Sequence, residues 1–189
     1  FNIHFCDVVH TDRSSLYGYI IIPFYGLNGE LIYYQVRNGL ENNNLRWKNP
    51  DVNDFGIGKE QLIYNVIALY SGLPIILNEG ASDVISLKGR SIGLGGLVLS
   101  KDQLRMLKEY SFSDEIIIFL DSGTFRDALL MAEVLLEEGF KVRIAIPPMG
   151  KDAGDLGYDK SLALIKEESS STARTLKNAS NGDSLRFGT

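Results

Sequence analysis

Pro74-Ile75-Ile76-Leu77-Asn78-Glu79-Gly80-Ala81-Ser82-Asp83-Val84 is the stretch on which the fold turns. A short apolar run, Pro74 to Leu77, stops at Asn78-Glu79-Gly80, and a short helical pattern follows from Ser82 to Leu87. The same alternation continues downstream. Ile92-Gly-Leu-Gly-Gly-Leu97 reads as a Gly-rich strand end. Ser100 and Gln103 form a capping-box signature for a helix over Lys101 to Tyr110. Glu115 to Leu120 reads as a buried strand that ends at Asp121, and Arg126 to Glu138 as an amphipathic helix closed by Gly139. Lys141 to Ile146 is a further strand, stopped by Pro147-Pro148. Uninterrupted apolar strands alternating with helices predict an α/β fold: a mainly parallel sheet covered on both faces.

Upstream the pattern differs. Tyr17 to Tyr25 is β-branched and aromatic, Leu27-Asn28-Gly29 is a turn, and Glu30 to Arg37 is a second strand. This predicts a hairpin, with Tyr33 and Tyr34 on opposite faces. A polar stretch, Asn38 to Asn49, ends at Pro50, and Lys59 to Tyr70 reads as a helix with Leu62, Ile63, Val66 and Leu69 on its apolar face. The expected organisation is a small α+β module over 1–70, the parallel α/β domain over 71–160, and a flexible Ser/Thr/Lys/Asn-rich tail or linker over 161–189. The stripe at Leu129, Leu130, Ala132, Leu135 and Leu136 reads as helix core.

The bulk numbers narrow the function. The chain has 189 residues, 44% of them hydrophobic and 23% charged, as in a globular protein. No apolar run approaches the roughly 20 residues that span a bilayer, so no membrane partner is expected. The single Cys6 excludes an internal disulfide and any multi-cysteine zinc site and fits a reducing cytoplasm. The start at Phe1 reads as that of a fragment. The net charge of −5 argues against a broad phosphate-gripping surface. Clustered carboxylates that hold divalent cations give the same sign.

Three carboxylates occupy equivalent places. Glu79, Asp121 and Asp152 each sit just past the carboxyl end of an expected strand, the edge at which open α/β sheets bind ligands. Carboxylates brought together there repel one another unless a cation sits among them, and hard oxygen donors suit Mg²⁺ or Mn²⁺. Taken singly, each is equally the N-cap of the next helix.

The order of motifs resembles the Toprim domain of DnaG-type DNA primases, bacterial or phage-encoded. Leu77-Asn-Glu79-Gly80-Ala-Ser-Asp83-Val84 is similar to the Glu-Gly-x-x-Asp signature that opens that domain. Gly93-Leu-Gly-Gly96 with Leu99 to Leu104 looks like the primase glycine turn and its helix. Ile117 to Asp121 resembles the strand before the Asp-x-Asp motif, and Gly150-Lys151-Asp152-Ala153 the later Gly-Lys-Asp segment. Upstream, Gly18 to Pro23 with Asn28-Gly29 and Arg37 resembles the hairpin of the primase polymerase core. Arg46-Trp47-Lys48-Asn49 is similar to its Lys-Tyr-x-Asn segment, and Lys59-Glu60-x-Leu62-x-Tyr64 to the motif leading into the Toprim domain. The similarity runs over roughly 15–157. It departs from the family at Asp121-Ser122-Gly123, where the second carboxylate is missing. Asp127 lies about one helical turn further on. After Asp152 the next carboxylate is Asp155 rather than position 154.

The resemblance implies a Toprim fold preceded by a small α+β module with a β-hairpin. It implies metal-dependent, template-directed synthesis of short RNA primers on single-stranded DNA. Glu79 and Asp121 would be catalytic. Glu79, Asp83, Asp121, Asp152 and Asp155 would hold Mg²⁺ or Mn²⁺. Arg37, Arg46, Lys48, Lys151, Gly95 and Gly96 would meet nucleotide or template, with Trp47 either stacking on a base or serving as a core or rim hydrophobe. Implied partners are a single-stranded DNA template, nucleoside triphosphates, a replicative helicase and a zinc-binding domain outside this chain. The implied location is the cytoplasm, of a bacterium or of a phage host. The missing second carboxylate points to an alternative, a degenerate Toprim module that binds nucleic acid or a replication partner without catalysis.

Overall fold

The computed structural model describes residues 3–5, 18–38, 47–50 and 56–167. Arg46, Cys6, His10 and residues 168–189 lie outside the described residues. Two four-stranded sheets organise the rest. The first is antiparallel, in the order β1 (His4–Phe5), β2 (Tyr19–Tyr25), β3 (Leu31–Asn38) and β4 (Trp47–Lys48). Its centre is the expected hairpin, turned at Gly29, whose φ of 80° a side chain would resist. Tyr33 faces inward and is buried, while Tyr34 on the opposite face is half-buried.

The second sheet is parallel throughout. Its strands are β5 (Ile75–Asn78), β6 (Ser91–Gly93), β7 (Glu115–Ile118) and β8 (Lys141–Ile144), in the spatial order β6-β5-β7-β8. Strand residues alternate between two cores. Ile75, Leu77, Ile116 and Ile118 meet Leu107 of α2 (Lys101–Tyr110) and Met131, Ala132 and Leu135 of α3 (Phe125–Glu137). Ile76, Ile117 and Phe119 face the other way, onto Leu87, Ala153 and Ile165. Apolar side chains cover both faces, which is why these strands read as unbroken hydrophobic runs. No helix among the described residues is long and apolar enough to cross a membrane.

Three local expectations need correction. Lys59 to Tyr70 is not one helix. Two 3₁₀ turns, Lys59–Gln61 and Val66–Ser71, flank an extended Leu62-Ile63-Tyr64. Tyr64 bridges the edge strand β6, its N–H donating to the Gly93 carbonyl at 2.8 Å and Gly93 N–H returning to the Tyr64 carbonyl at 3.2 Å. Asn65 then turns left-handed (φ 60°), and its amide donates to the carbonyls of Gly89 and Ser91. Hydrogen bonding to the sheet edge outweighs the local helical pattern. The apolar quartet Leu62, Ile63, Val66 and Leu69 is buried all the same. The expected tail also starts too early. Residues 158–167 are helical, and buried Ile165 packs under the sheet. Finally, Leu130 and Leu136 of α3 are exposed, because Ala128, Met131, Ala132 and Leu135 take the buried stripe.

The sheets meet through one shared core. Ile22, Phe24 and Tyr33 of the hairpin, with Leu62 and Tyr64, pack onto Ala81 and Val84 of α1 (Ala81–Ser86). Phe24 meets Tyr33 and Tyr64 edge-on, at centroid separations of 5.5 and 4.8 Å. The hairpin sheet is thereby set beside the carboxyl edge of the parallel sheet, and a cleft opens between them.

Candidate active-site cleft

The cleft has a volume of about 660 Å³ and two chemically different walls. Glu79, Gly80, Asp83, Asp121, Asp152 and Asp155 form the acidic wall. Gln35, Arg37, Trp47, Asn49 and Lys59 form the other. The five carboxylates expected from sequence are thus brought together from segments 79–83, 121 and 152–155. Three of them follow strands β5, β7 and β8, so the parallel register aims their loops at one rim.

Local bonding holds the Glu79 backbone and the Asp83 and Asp152 carboxylates. The backbone N–H groups of Gly95 and Gly96 both donate to the Glu79 carbonyl, at 2.7 and 3.1 Å. Gly95 adopts φ 75° to do so. Gly93, just before, sits where an added Cβ would lie 2.9 Å from the Gly80 carbonyl oxygen. The glycine turn therefore grips the Glu79 backbone while lining the cleft. Asp83 Oδ2 accepts from Gly80 N–H at 3.0 Å, and Asp152 Oδ1 accepts from Asp155 N–H at 2.7 Å. Asp152 is both a helix N-cap, of α4 (Ala153–Leu156), and a cleft residue, so the two readings of its position hold together.

The loops of Asp121 and Asp152 are joined. Ser122 Oγ accepts from the N–H groups of Gly150 and Lys151, at 2.7 and 3.2 Å, and Ser122 N–H donates to the Lys151 carbonyl. Asn78, fully buried at the fork between β5 and β7, donates its amide to the Phe119 carbonyl at 2.7 Å. That side-chain bond closes the sheet where Glu79 and Asp121 leave it.

The electrostatics report a shared field. Burial raises the Glu79 carboxyl, and Asp121 adds to the rise while Lys59 opposes it. Burial, then repulsion from Asp152 and Asp155, raises Asp121. Asp83, 8% exposed, is pushed up to about 6, chiefly by burial, against the Gly80 N–H bond and with help from Asp121, Asp152 and Glu79. Carboxylates that hinder each other's ionisation this way are partners for a cation. Each of the two capping carboxylates, Asp83 and Asp152, keeps one oxygen outside its cap bond. The donor set is hard oxygen and fits Mg²⁺ or Mn²⁺. It is not pre-closed: among the described residues no three acidic, His or Cys side chains stand near enough together to form a ready cage.

The basic positions divide. Arg37 reaches the cleft, its guanidinium over the Trp47 ring at 5.3 Å from the centroid. Trp47 is half-buried and packs on the hairpin core, so one ring face carries Arg37 rather than lying open to a base. Lys48, next in the strand, points to the other face and lies over Tyr19 at 4.8 Å, so it is not in the cleft wall. Lys151 is exposed and also stands outside the wall. Asp127 adds to the field at Glu79, but its side chain lines a separate small groove with Leu97, Leu99 and Leu130. Gly123 is exposed with φ 95°, and no carboxylate replaces the absent one at that point.

Sequence reasoning missed Lys59 as a site residue. Its ammonium donates to the Gly95 carbonyl at 2.8 Å and lies in the cleft, within the field of Glu79. The expected helix hid it, since a helical surface lysine is ordinarily solvated. Gln35 was also passed over, and Asn49, though quoted within the Arg46-Trp47-Lys48-Asn49 segment, was given no role. No short-range pattern marks a polar residue in a hairpin strand as part of a site 40 or more residues downstream.

No protein-family model matches the chain, and no curated protein matches it. Solved structures do. The E. coli primase catalytic core matches with a TM-score of 0.68 at 19% identity, over 93% of this chain and 62% of that one. The Aquifex aeolicus primase, with its zinc-binding and RNA polymerase domains, matches with a TM-score of 0.67 at 20% identity, over 82% of this chain and 41% of that one. A DnaG primase catalytic domain bound to single-stranded DNA matches with a TM-score of 0.69 at 18% identity, over 93% and 62%. The chain thus spans 41% to 62% of the length of these solved proteins. The hairpin module, the parallel sheet and the cleft between them make up the fold of a DnaG-type primase catalytic core.

Proposed function

We propose that the cleft performs metal-dependent nucleotidyl transfer, joining ribonucleotides on a single-stranded DNA template as a primase does. The observation that carries this reading is the convergence of Glu79, Asp83, Asp121, Asp152 and Asp155 on one wall, opposite Lys59 and Arg37, in a chain with this fold. Glu79, Asp121 and Asp152 would hold Mg²⁺ or Mn²⁺, with Asp83 and Asp155 flanking them. A divalent ion bound there supplies charge neutralisation at the phosphoryl oxygens and alignment of the attacking and leaving groups. The chain's own residues do the rest. Lys59 and Arg37 offer cationic donors to the phosphates across the cleft. Ser122 keeps the Asp121 and Asp152 loops in register. Gly95 and Gly96 fix the Glu79 backbone while letting a ligand approach closely. A zinc-binding domain and a replicative helicase supplied from elsewhere complete this reading, with the cytoplasm as its location.

The test is oligoribonucleotide synthesis on a single-stranded template with Mg²⁺ or Mn²⁺. Glu79→Ala and Asp121→Ala each lower the rate at least about 100-fold. Full activity in either variant sinks the assignment. The open carboxylate arrangement and exposed Gly123 favour one second reading, binding of nucleic acid or a replication partner without catalysis. Calorimetric titration with Mn²⁺ separates the two. Heat of binding below millimolar metal, lost in Asp121→Ala, supports catalysis, and its absence supports the binding module.

A further inference from the structure

Asn78 is polar where the surrounding pattern calls for an apolar residue. It follows the apolar run 74–77 and is 1% exposed. It shares a face of β5 with Ile76, which belongs to the core of Ile76, Ile117 and Phe119. Burying an amide in such a layer costs stability unless its groups are paired. Here only half of the amide is paired. Nδ2 donates to the Phe119 carbonyl at 2.7 Å, while Oδ1 is buried with no hydrogen-bond partner among the described residues. A leucine has the same branched shape and brings no orphaned acceptor. Packing therefore does not account for the asparagine, and a buried unpaired acceptor calls for another reason.

That reason lies where the paired half reaches. The ladder between β5 and β7 pairs Leu77 with Ile118, and Phe119 N–H donates to the Leu77 carbonyl at 2.8 Å. Beyond this point the two segments lead to Glu79 and Asp121. The Asn78 side chain adds a bond across the fork. Its partner, a carbonyl, can only accept, so the amide must present its nitrogen and its orientation is fixed. Glu79 follows Asn78 directly, and Asp121 lies two residues after Phe119. Each carboxylate segment is also tied to a further neighbour. The Glu79 carbonyl is held by Gly95 and Gly96, and the Asp121 loop, through Ser122, by Gly150 and Lys151. Asn78 ties the Glu79 segment to the Asp121 segment.

We infer that Asn78 is a positioning residue, whose clamp on the Phe119 carbonyl sets the spacing of Glu79 and Asp121 so that both carboxylates reach one divalent ion. The inference rests on the metal site proposed above. Asn78 is not in the cleft wall. It acts through the backbone that carries the two ligands. Groups that orient metal ligands in this way commonly govern affinity by about 10- to 100-fold.

The test is calorimetric titration of the full chain with Mn²⁺, well below the melting temperature of every variant. Asn78→Leu keeps the shape of the side chain and removes the clamp. Asn78→Ala removes it with less bulk and serves if the leucine variant does not fold. Both are expected to weaken Mn²⁺ binding about tenfold or more. Either change also leaves the Phe119 carbonyl unpaired and lowers stability, so a control must lose stability without touching the clamp. Ile117→Val, in the same core, does so, and its Mn²⁺ affinity stays within about twofold of the wild type. Affinity within about twofold of the wild type in a folded Asn78 variant overturns the clamp and leaves the metal site standing. Equal weakening in Ile117→Val overturns it too, by reducing Asn78 to an ordinary member of the core. A wild-type chain that binds no Mn²⁺ sinks the metal site, and the clamp with it.

Discussion

Asp83 meets two opposed demands. Its Oδ2 caps the start of α1 through Gly80 N–H, and its carboxyl is buried among Glu79, Asp121 and Asp152. An unfolded aspartate titrates near 3.8, whereas burial raises this one to about 6. The folded chain therefore keeps a proton that the unfolded chain has released. Its stabilising effect is full below pH about 4 and is lost as pH rises through about 6. Asn at this position has the same shape and still accepts from Gly80 N–H. Asp83→Asn is expected to raise the stability of the metal-free chain at pH 7.5 by on the order of 2–3 kcal/mol and to change little at pH 4. Thermal denaturation at the two pH values measures this, and equal effects at both would remove the charge argument.

Gln103 shows what one side chain does for several segments. It completes the capping box of α2, with Gln103 N–H donating to Ser100 Oγ and Ser100 N–H donating to Gln103 Oε1. Its Nε2 also donates to the Leu62 and Leu94 carbonyls, at 2.7 to 2.8 Å. The helix start, the extended segment before Tyr64 and the glycine turn after β6 are thereby tied together. Gln103→Leu leaves two buried carbonyls without a partner and should cost about 2–4 kcal/mol. Urea denaturation reads the loss. A second consequence is local: hydrogen exchange at the Gly95 and Gly96 amides, which hold Glu79, should accelerate in that variant more than exchange at Ile117 in the sheet centre.

The proposed metal site would link metal, proton and fold across the chain as a whole. Glu79, Asp83 and Asp121 all have raised carboxyl pKa values through burial and mutual repulsion. A bound divalent ion competes with those protons. Mn²⁺ affinity should therefore strengthen between pH 5.5 and pH 7.5 by roughly tenfold or more. The same ion should raise the melting temperature at pH 7.5 more than at pH 5.5. Calorimetry and thermal scans at both pH values provide the check. Metal-independent melting at pH 7.5 would argue for the binding-module reading. The open arrangement of the carboxylates also predicts that EDTA leaves the fold intact, since the two cores are apolar and none of their members is a ligand.

Much of this is legible in the amino-acid sequence itself. Apolar runs such as Ile75–Leu77 and Ile116–Ile118 specify buried parallel strands because every residue must be apolar when both faces are covered. A residue that follows such a strand must emerge at the carboxyl edge, so Glu79, Asp121 and Asp152 were readable as neighbours. The Ser100–Gln103 cap was readable for the same reason, being a contact within one turn. What stayed hidden depends on contacts between distant segments. Tyr64 joins Gly93, and the helix expected over 59–70 is undone. Lys59 enters the field of Glu79 because its ammonium bonds to the carbonyl of Gly95, 36 residues away. Arg37 and Lys48 looked alike in sequence, yet the strand pleat sends one to the cleft and the other to Tyr19. Local pattern records which surfaces must be buried. Which cation, amide or carboxylate then faces which is decided when those surfaces meet, by hydrogen bonds and packing that no short window contains.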